Sequence, residues 1–231
     1  MAEKTPKQRI VVVGGGFGGV KTALELAKHP DKFEVALVSD RADFWYFPTL
    51  YHTATGGTRA QSSIPLKVLL KGKGIKLVHA RAVGLDRANK ALVLKDEPPI
   101  PYDKLVLALG VVTNYFGIPG LEQFSYGIKS IAEAEELKKH LHSQITDERK
   151  PDLNYVVVGG GPTGIELSGA LGKYLRFIMK QHGIEERPIH IDLVEGNKHL
   201  MPRMPKTVGK AIERRMRRLG VKLYLGKAVQ G

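Results

Sequence analysis

A ten-residue motif stands twice in this chain. Val11-Val12-Val13-Gly14-Gly15-Gly16-Phe17-Gly18-Gly19-Val20 returns as Val156-Val157-Val158-Gly159-Gly160-Gly161-Pro162-Thr163-Gly164-Ile165, 145 residues further on. That spacing is far longer than a solenoid repeat and suits two similar domains. The flanks repeat as well. Ile10 to Val13 is a β-branched run that reads as a buried parallel strand. Val20, Ala23, Leu24 and Ala27 follow at helical spacing, and Phe33 to Val38 reads as a second strand. In the second copy the strand is Tyr155 to Val158, and the helix face is Leu167, Leu171, Tyr174, Leu175 and Ile178. Ile189 to Val194 is the next strand. Both copies are β-α-β units, so the fold class is α/β with two Rossmann-like dinucleotide-binding domains.

Between the copies, Ile75 to Val83, Ala91 to Leu94 and Leu105 to Leu109 read as three strands. Gly84, Asp86, Asn89 and Pro98-Pro99 supply the turns. Ser130 with Glu133 three residues on is a capping box, opening a helix through Leu141. The polar, proline-bearing stretch Thr146 to Asn154 reads as the junction between domains. Near the end, Val208, Ala211, Ile212, Arg215, Met216 and Leu219 trace a helix stopped by Gly220, with a strand over Val221 to Leu225. The predicted division is a first domain over 1–120, a connecting segment and helix over 121–151, and a second domain over 152–231.

In a β-α-β dinucleotide site each glycine has its own duty. Gly14 and Gly159 permit the tight turn leaving the strand. Gly16 and Gly161 leave room for the pyrophosphate, and Gly19 and Gly164 let the helix pack closely. The anion rests on a helix N-terminus, where N–H groups and the dipole favour negative charge. Phe17 and Gly18 in the first copy, and Pro162 and Thr163 in the second, complete the two turns. The residue closing the second strand selects the nucleotide. Glu195 is placed to accept hydrogen bonds from the adenosine ribose and to repel a 2′-phosphate, so the second site reads as one for NADH, although Lys198 and Arg203 lie close in sequence. In the first copy Ser39 takes the usual acidic place and Asp40 comes one residue late. Either Asp40 reaches the ribose through a shifted turn, or Ser39 makes a weaker neutral contact; Asp40 is the preferred of the two.

Composition excludes several chemistries. With no cysteine among 231 residues, disulfides, thiolate metal sites and cysteine nucleophiles are out. The longest apolar run, Leu105 to Val112, is 8 residues, well short of the roughly 20 that cross a bilayer. Met1 to Arg9 is polar and lacks the apolar core of a secretion signal. The chain thus reads as one without a signal peptide or transmembrane helix. The eight histidines are scattered and suggest no metal. Phe44, Trp45, Tyr46 and Phe47 read as core or as the surround of a cofactor ring. Lys+Arg 36 against Asp+Glu 23 leaves a net charge of +13, which favours anionic partners without choosing among them. Lys206, Lys210, Arg214, Arg215, Arg217 and Arg218 form a basic series that reads as a solvated face or a contact with acidic lipid. No nucleic-acid motif accompanies it.

Two dinucleotide motifs in one chain resemble the two-dinucleotide-binding-domain flavoproteins. Within them, the chain looks most like the type II (alternative) NADH:quinone oxidoreductases. The residues that carry the resemblance are Phe47-Pro48-Thr49-Leu50-Tyr51-His52-Thr53-Ala54-Thr55-Gly56 and Tyr102-Asp103-Lys104-Leu105-Val106-Leu107-Ala108-Leu109-Gly110. Thr113-Asn114-Tyr115-Phe116-Gly117-Ile118-Pro119-Gly120 and Val157 to Glu166 complete them.

The resemblance implies FAD at the first site and NADH at the second. It puts Pro48, Thr49 and Leu50 along the flavin ring, the Val83 backbone at the adenine, and Ala108, Leu109 and Gly110 near the pyrophosphate. It puts Glu166, on the first turn of the second helix, near the nicotinamide, as the one catalytic candidate. The superfamily's thiol-dependent members need a cysteine beside the flavin, which leaves electron transfer from NADH to a quinone, without proton pumping, at the cytoplasmic side of a membrane where the protein is peripheral. The other readings are a reductase of a ferredoxin- or rubredoxin-like protein, and an inactive nucleotide-binding fragment. A homodimer is compatible with the resemblance. The family returns to its FAD domain after the NADH domain and ends in a membrane anchor. The chain stops at Gly231 before any of this, so the second domain, inserted in the first, reads as truncated.

Overall fold

β-Branched residues at consecutive positions favour a strand buried on both faces, and Val11, Val12 and Val13 are all buried in the computed structural model of the chain. The structure describes residues 6–146 and 153–230. In chain order the elements are β1 (Gln8–Val13), α1 (Phe17–Leu26), β2 (Phe33–Ser39), β3 (Asp43–Trp45), α2 (Leu50–Ala54), β4 (Ser63–Pro65), α3 (Leu66–Leu69), β5 (Ile75–His79), β6 (Ala82–Asp86), β7 (Ala91–Leu94), β8 (Ile100–Pro101) and β9 (Lys104–Leu107). There follow α4 (Leu121–Phe124), α5 (Ile131–Thr146), β10 (Leu153–Val158), α6 (Pro162–Gln181), β11 (Ile189–Glu195), α7 (Lys206–Arg218) and β12 (Val221–Leu225). They form two compact units. One comprises Met1–Tyr46 and Ser63–Val112, the other Phe47–Ser62 and Thr113–Gly231.

In the first unit four parallel strands lie in the order β5-β2-β1-β9. The pleat sends alternate residues of β1 to opposite faces. Ile10 and Val12 join Val20, Ala23, Val35, Leu37, Phe44 and Leu66 in one core, while Val11 and Val13 join Val38, Leu92 and Leu94 in another. The second core is roofed by the antiparallel sheet β6-β7-β8. The sequence reading of one strand over Ile75 to Val83 is therefore corrected. The chain leaves the parallel sheet after His79 and enters the antiparallel one at Ala82. Gly84 is not a turn residue but sits in β6, at a register shift between Ala82 and Gly84. The Asp86 carboxylate does close the turn, accepting from the Asn89 backbone at 3.0 Å and from its amide at 2.8 Å. Of the aromatic run only Phe44 is buried, its ring meeting Phe17 edge-on with centroids 4.8 Å apart, while Tyr46 and Phe47 are exposed.

The second unit holds the parallel sheet β10-β11-β12 with α6 and α7. Leu171, Tyr174, Leu175 and Ile178 of α6 are buried, as the sequence stripe implies. The predicted capping box opens α5. The Glu133 amide donates to Ser130 Oγ at 3.1 Å, and the Ser130 amide donates to the Glu133 carboxylate at 3.0 Å. The helix outruns the predicted Leu141 and ends at Thr146, with Ile145 fully buried. The expected junction falls mainly on 147–152, outside the described residues. On α7 the predicted face is rotated. Met216 is buried as predicted, but Arg215, Ala211 and Leu219 are exposed, and Gly209 and Glu213 are buried instead. Hydrophobicity alone could not place a buried glycine and a buried acid there. Residues 47–62 also belong to this unit. Lys138 of α5 donates to the Gly57 carbonyl at 2.9 Å, and a Cβ on Gly56 would sit 2.8 Å from the Tyr174 ring.

Candidate functional site

Each glycine motif forms the same turn in its own unit. In the first, the Gly14 amide donates to the Val38 carbonyl at 2.8 Å, so the turn springs from the end of β1 and is held by β2. Gly14 has φ +117°, and a Cβ there would lie 2.1 Å from the Ala108 carbonyl oxygen. A side chain is excluded twice over, by conformation and by space. The Ala108 amide donates to the Val13 carbonyl at 2.8 Å, which brings Ala108 to the turn, with Leu109 and Gly110 next along the chain. A Cβ on Gly19 would fall 1.8 Å from the Gly14 carbonyl, whereas one on Gly18 would meet only the Ala108 methyl, at 3.8 Å. Gly16 faces open space and caps α1 in extended conformation, with no side chain capping the helix.

The second turn repeats this. The Gly159 amide donates to the Val194 carbonyl at 2.8 Å, and a Cβ on Gly164 would lie 2.0 Å from the Gly159 carbonyl. Gly161 faces open space and caps α6, again with no side-chain cap, and Pro162 takes the first helical position, where its missing N–H costs nothing. Thr163 occupies the place of Gly18. Each turn thus has an open glycine before an uncapped helix N-terminus, the space and dipole that a phosphate requires.

The acid differs between the two. Glu195 ends β11 and is buried. Its carboxylate accepts from the Gly160 amide at 2.7 Å and from the Asn197 amide and side chain, both at 2.6 Å. Burial alone pushes such a carboxyl up, but the three donors outweigh it and hold Glu195 below the usual carboxylate range. The hydrogen bonds from Gly14 and Gly159 set Val38 level with Val194, and so Ser39 level with Glu195. The Ser39 hydroxyl is buried, donates to the Arg41 carbonyl at 2.8 Å and accepts from the Arg41 amide at 3.1 Å. Asp40 turns outward, 3.8 Å from the Arg41 guanidinium.

The other sequence candidates are placed as follows. Val83 lies on exposed β6 at its register shift. Pro48, Thr49 and Leu50 belong to the second unit, where Leu50 is buried and Thr49 joins a hydroxyl chain. Thr49 Oγ1 and Thr53 Oγ1 each lie 2.8 Å from Ser62 Oγ. Glu166 is not on the first turn of α6, because the helix begins at Pro162 and its first turn holds no acid. From the second turn its carboxyl is pushed up by partial burial.

Two plugs were missed from sequence. A Cβ on Gly15 would lie 2.8 Å from Leu66, and one on Gly160 would lie 2.6 Å from Leu200; both leucines are fully buried. The signal was there in the middle glycine of each Gly-Gly-Gly, which the usual three-glycine pattern leaves without a duty.

Residues 8–231 match the family model for pyridine nucleotide-disulphide oxidoreductases. The external alternative NAD(P)H-ubiquinone oxidoreductase B4 of Arabidopsis thaliana mitochondria is 31% identical over 249 residues, spanning 97% of this chain and 42% of the relative. The type II NADH:quinone oxidoreductase Ndh of Mycobacterium tuberculosis is 30% identical over 244 residues, spanning 99% of this chain and 52% of the relative. The structure of NDH2 from Plasmodium falciparum in complex with NADH superposes with a TM-score of 0.81 at 23% identity, covering 97% of this chain and 49% of that one; it shares the fold. The chain spans about half the length of the curated relatives it matches. Two glycine turns of one geometry and a match over nearly the whole sequence agree, and the chain belongs to the pyridine nucleotide-disulphide oxidoreductase family.

Proposed function

We propose that this chain carries the FAD and NADH sites of a flavin-dependent oxidoreductase that passes electrons from NADH to a quinone. The observation that carries the reading is the pair of like turns with a carboxylate at the second only. Open space at Gly16 and Gly161 and uncapped N-termini on α1 and α6 fit two pyrophosphates. The relatives named for NAD(P)H, NADH and quinone substrates support the choice of donor and acceptor. No cysteine stands anywhere in the chain to serve a thiol-dependent acceptor.

The first domain, 1–120, holds FAD at Gly14, Gly16, Phe17, Gly18 and Gly19, with Ala108, Leu109 and Gly110 beside the pyrophosphate. Val83 presents its backbone to the adenine, and Ser39 or Asp40 meets the ribose. The second domain, 152–231, holds NADH at Gly159, Gly161, Pro162, Thr163 and Gly164. Glu195 keeps one lone pair beyond its three internal donors for a ribose hydroxyl, and its charge disfavours a 2′-phosphate. Glu166, at the head of α6, orients the nicotinamide. When bound, FAD supplies two-electron acceptance from NADH and delivery to the quinone. The protein's part is positioning and the exclusion of water.

The test is the visible spectrum of the chain folded with FAD, before and after NADH. Bleaching by NADH and recovery with a quinone, but not with a ferredoxin-like protein, is the expected result. A bound flavin that NADH leaves oxidised would overturn the reading.

The site would work at an acidic membrane surface. On α7, Lys206, Lys210, Arg214, Arg215, Arg217 and Arg218 are all exposed, and four of them line one shallow depression. Among the described residues no helix is long and apolar enough to cross a membrane, and the reading moves no proton across one. Cationic residues near an anionic surface contribute about 1 kcal/mol each. Co-sedimentation with phosphatidylserine vesicles, lost in high salt and absent with phosphatidylcholine alone, is expected; equal binding to both would remove the membrane from the proposal.

A further inference from the structure

A buried carboxylate on α7 has no part in the site described above. Glu213 is 7% exposed on a helix whose other polar residues face solvent. For packing alone, an apolar side chain would serve as well or better, because an ionised group loses its water when buried. Its contacts show what it does instead. The Glu213 carboxylate accepts from the Leu200 amide at 3.3 Å. His199 Nδ1 lies 3.5 Å from it and the Arg217 guanidinium 3.9 Å. One turn earlier, Gly209 sits so close to the loop that a Cβ would lie 2.8 Å from the Leu200 carbonyl oxygen. Helix α7 therefore binds the amide of one loop residue and packs closely against its carbonyl.

That residue is the plug of the second glycine turn. Leu200 is fully buried, and its side chain occupies the space beside Gly160. The next residue, Met201, has φ +53° and donates its amide to the Gly160 carbonyl at 3.1 Å. The Gly160 amide is already held by Glu195, so this residue is fixed at both its N–H and its C=O, immediately before open Gly161. The start of the loop is tied too: the Gly226 amide donates to the Asn197 carbonyl at 2.9 Å, and the Lys227 amide to the Glu195 carbonyl at 3.1 Å.

We infer that Glu213 is a positioning residue of the NADH turn, acting through Leu200 and Met201 to hold the Gly160 peptide where the pyrophosphate approaches. The inference rests on the proposed NADH site, but its first readout does not need the nucleotide.

The experiment uses the whole 231-residue chain and compares Glu213→Gln, which keeps an acceptor, with Glu213→Leu, which keeps the volume and loses it. Amide hydrogen exchange of the unliganded chain reports the loop; NADH titration reports the site. In the Leu variant, exchange at Leu200 and Met201 is expected to quicken about tenfold and NADH affinity to fall about tenfold, the size of one hydrogen bond to a charged group. The Gln variant is expected to stay within about threefold of the parent on both counts, since the acceptor rather than the charge is what the loop uses. If Leu at 213 prevents folding, Gly209→Ala displaces the same carbonyl without touching Glu213 and is expected to give the same loosening and the same loss.

Unchanged exchange in the Leu variant overturns the inference. So does quickened exchange with unchanged NADH affinity, and so does equal damage from Gln and Leu. A parent chain that binds no NADH, while the loop loosens as described, marks instead the failure of the proposed NADH site.

Discussion

Gly161→Val is expected to leave the chain folded and to abolish NADH binding, whereas Gly164→Val is expected to cost the fold itself. The two glycines stand three residues apart in one motif, but they meet different surroundings. Nothing lies within 4 Å of a Cβ at Gly161, and its backbone is extended, so valine fits there without strain. On the proposed reading, the only thing it displaces is the phosphate. Loss of at least about 100-fold in affinity, about 2.7 kcal/mol, is expected, with an unfolding midpoint close to the parent's. At Gly164 the new Cβ lands 2.0 Å from the Gly159 carbonyl, a backbone atom that cannot swing aside. Overpacking of that kind costs about 3 kcal/mol or more. Urea denaturation and NADH titration of both variants read the two effects separately. NADH bound normally by Gly161→Val would place the nucleotide elsewhere. Gly16 and Gly19 should divide in the same way for FAD.

The second large effect is expected at Glu195. Removing its carboxylate in Glu195→Ala leaves the buried Gly160 amide without an acceptor, which costs about 1–3 kcal/mol, and hands the exposed Asn197 amide to water. A loss of stability of that size is expected, together with a fall of about tenfold in NADH affinity from the missing ribose contact. Unchanged affinity would remove Glu195 from the nucleotide site. The pH dependence has a definite sign. The folded-state pKa lies below the ordinary value, so the stabilisation is fully present above the usual carboxylate range and is lost as pH falls through the folded-state pKa. The stability gap between parent and Glu195→Ala should therefore close in acid. A gap that widened in acid would contradict the hydrogen-bonding assigned here.

Much of this was legible in the sequence because strand, turn and helix repeat as a unit. Val11 to Val13, the stripe of α6 and the Ser130–Glu133 box each follow from local chemistry, and each sits in the structure where that chemistry puts it. What was not legible depends on partners distant in sequence. Whether Ser39 or Asp40 matches Glu195 is a matter of register, set by amides donating to Val38 and Val194. Leu66 and Leu200 look like any other leucine until each is seen against the middle glycine of its turn. Glu213 sits among Lys210, Arg214 and Arg217 and reads as one more charge on a wet helix, since no periodicity marks a buried acid. The break between β5 and β6 was hidden for another reason: it falls at Ala80-Arg81, with no Gly or Pro to mark it, and only the roof sheet decides where the chain divides.

Residues 47–62 have a consequence for the chain during its synthesis. Gly56 closes against Tyr174 and Gly57 accepts from Lys138, so this segment leaves the ribosome well before the helices it packs on. At roughly 5–20 residues per second, the 118 residues separating Gly56 from Tyr174 take on the order of ten seconds to be made. For that time Leu50 and Ala54, fully enclosed in the finished molecule, have no surface to bury against. Closing so long a loop is slow even once both ends exist. The second unit should therefore be the last to acquire protease resistance during translation, and Leu50 to Ala54 the stretch on which a chaperone finds its first purchase.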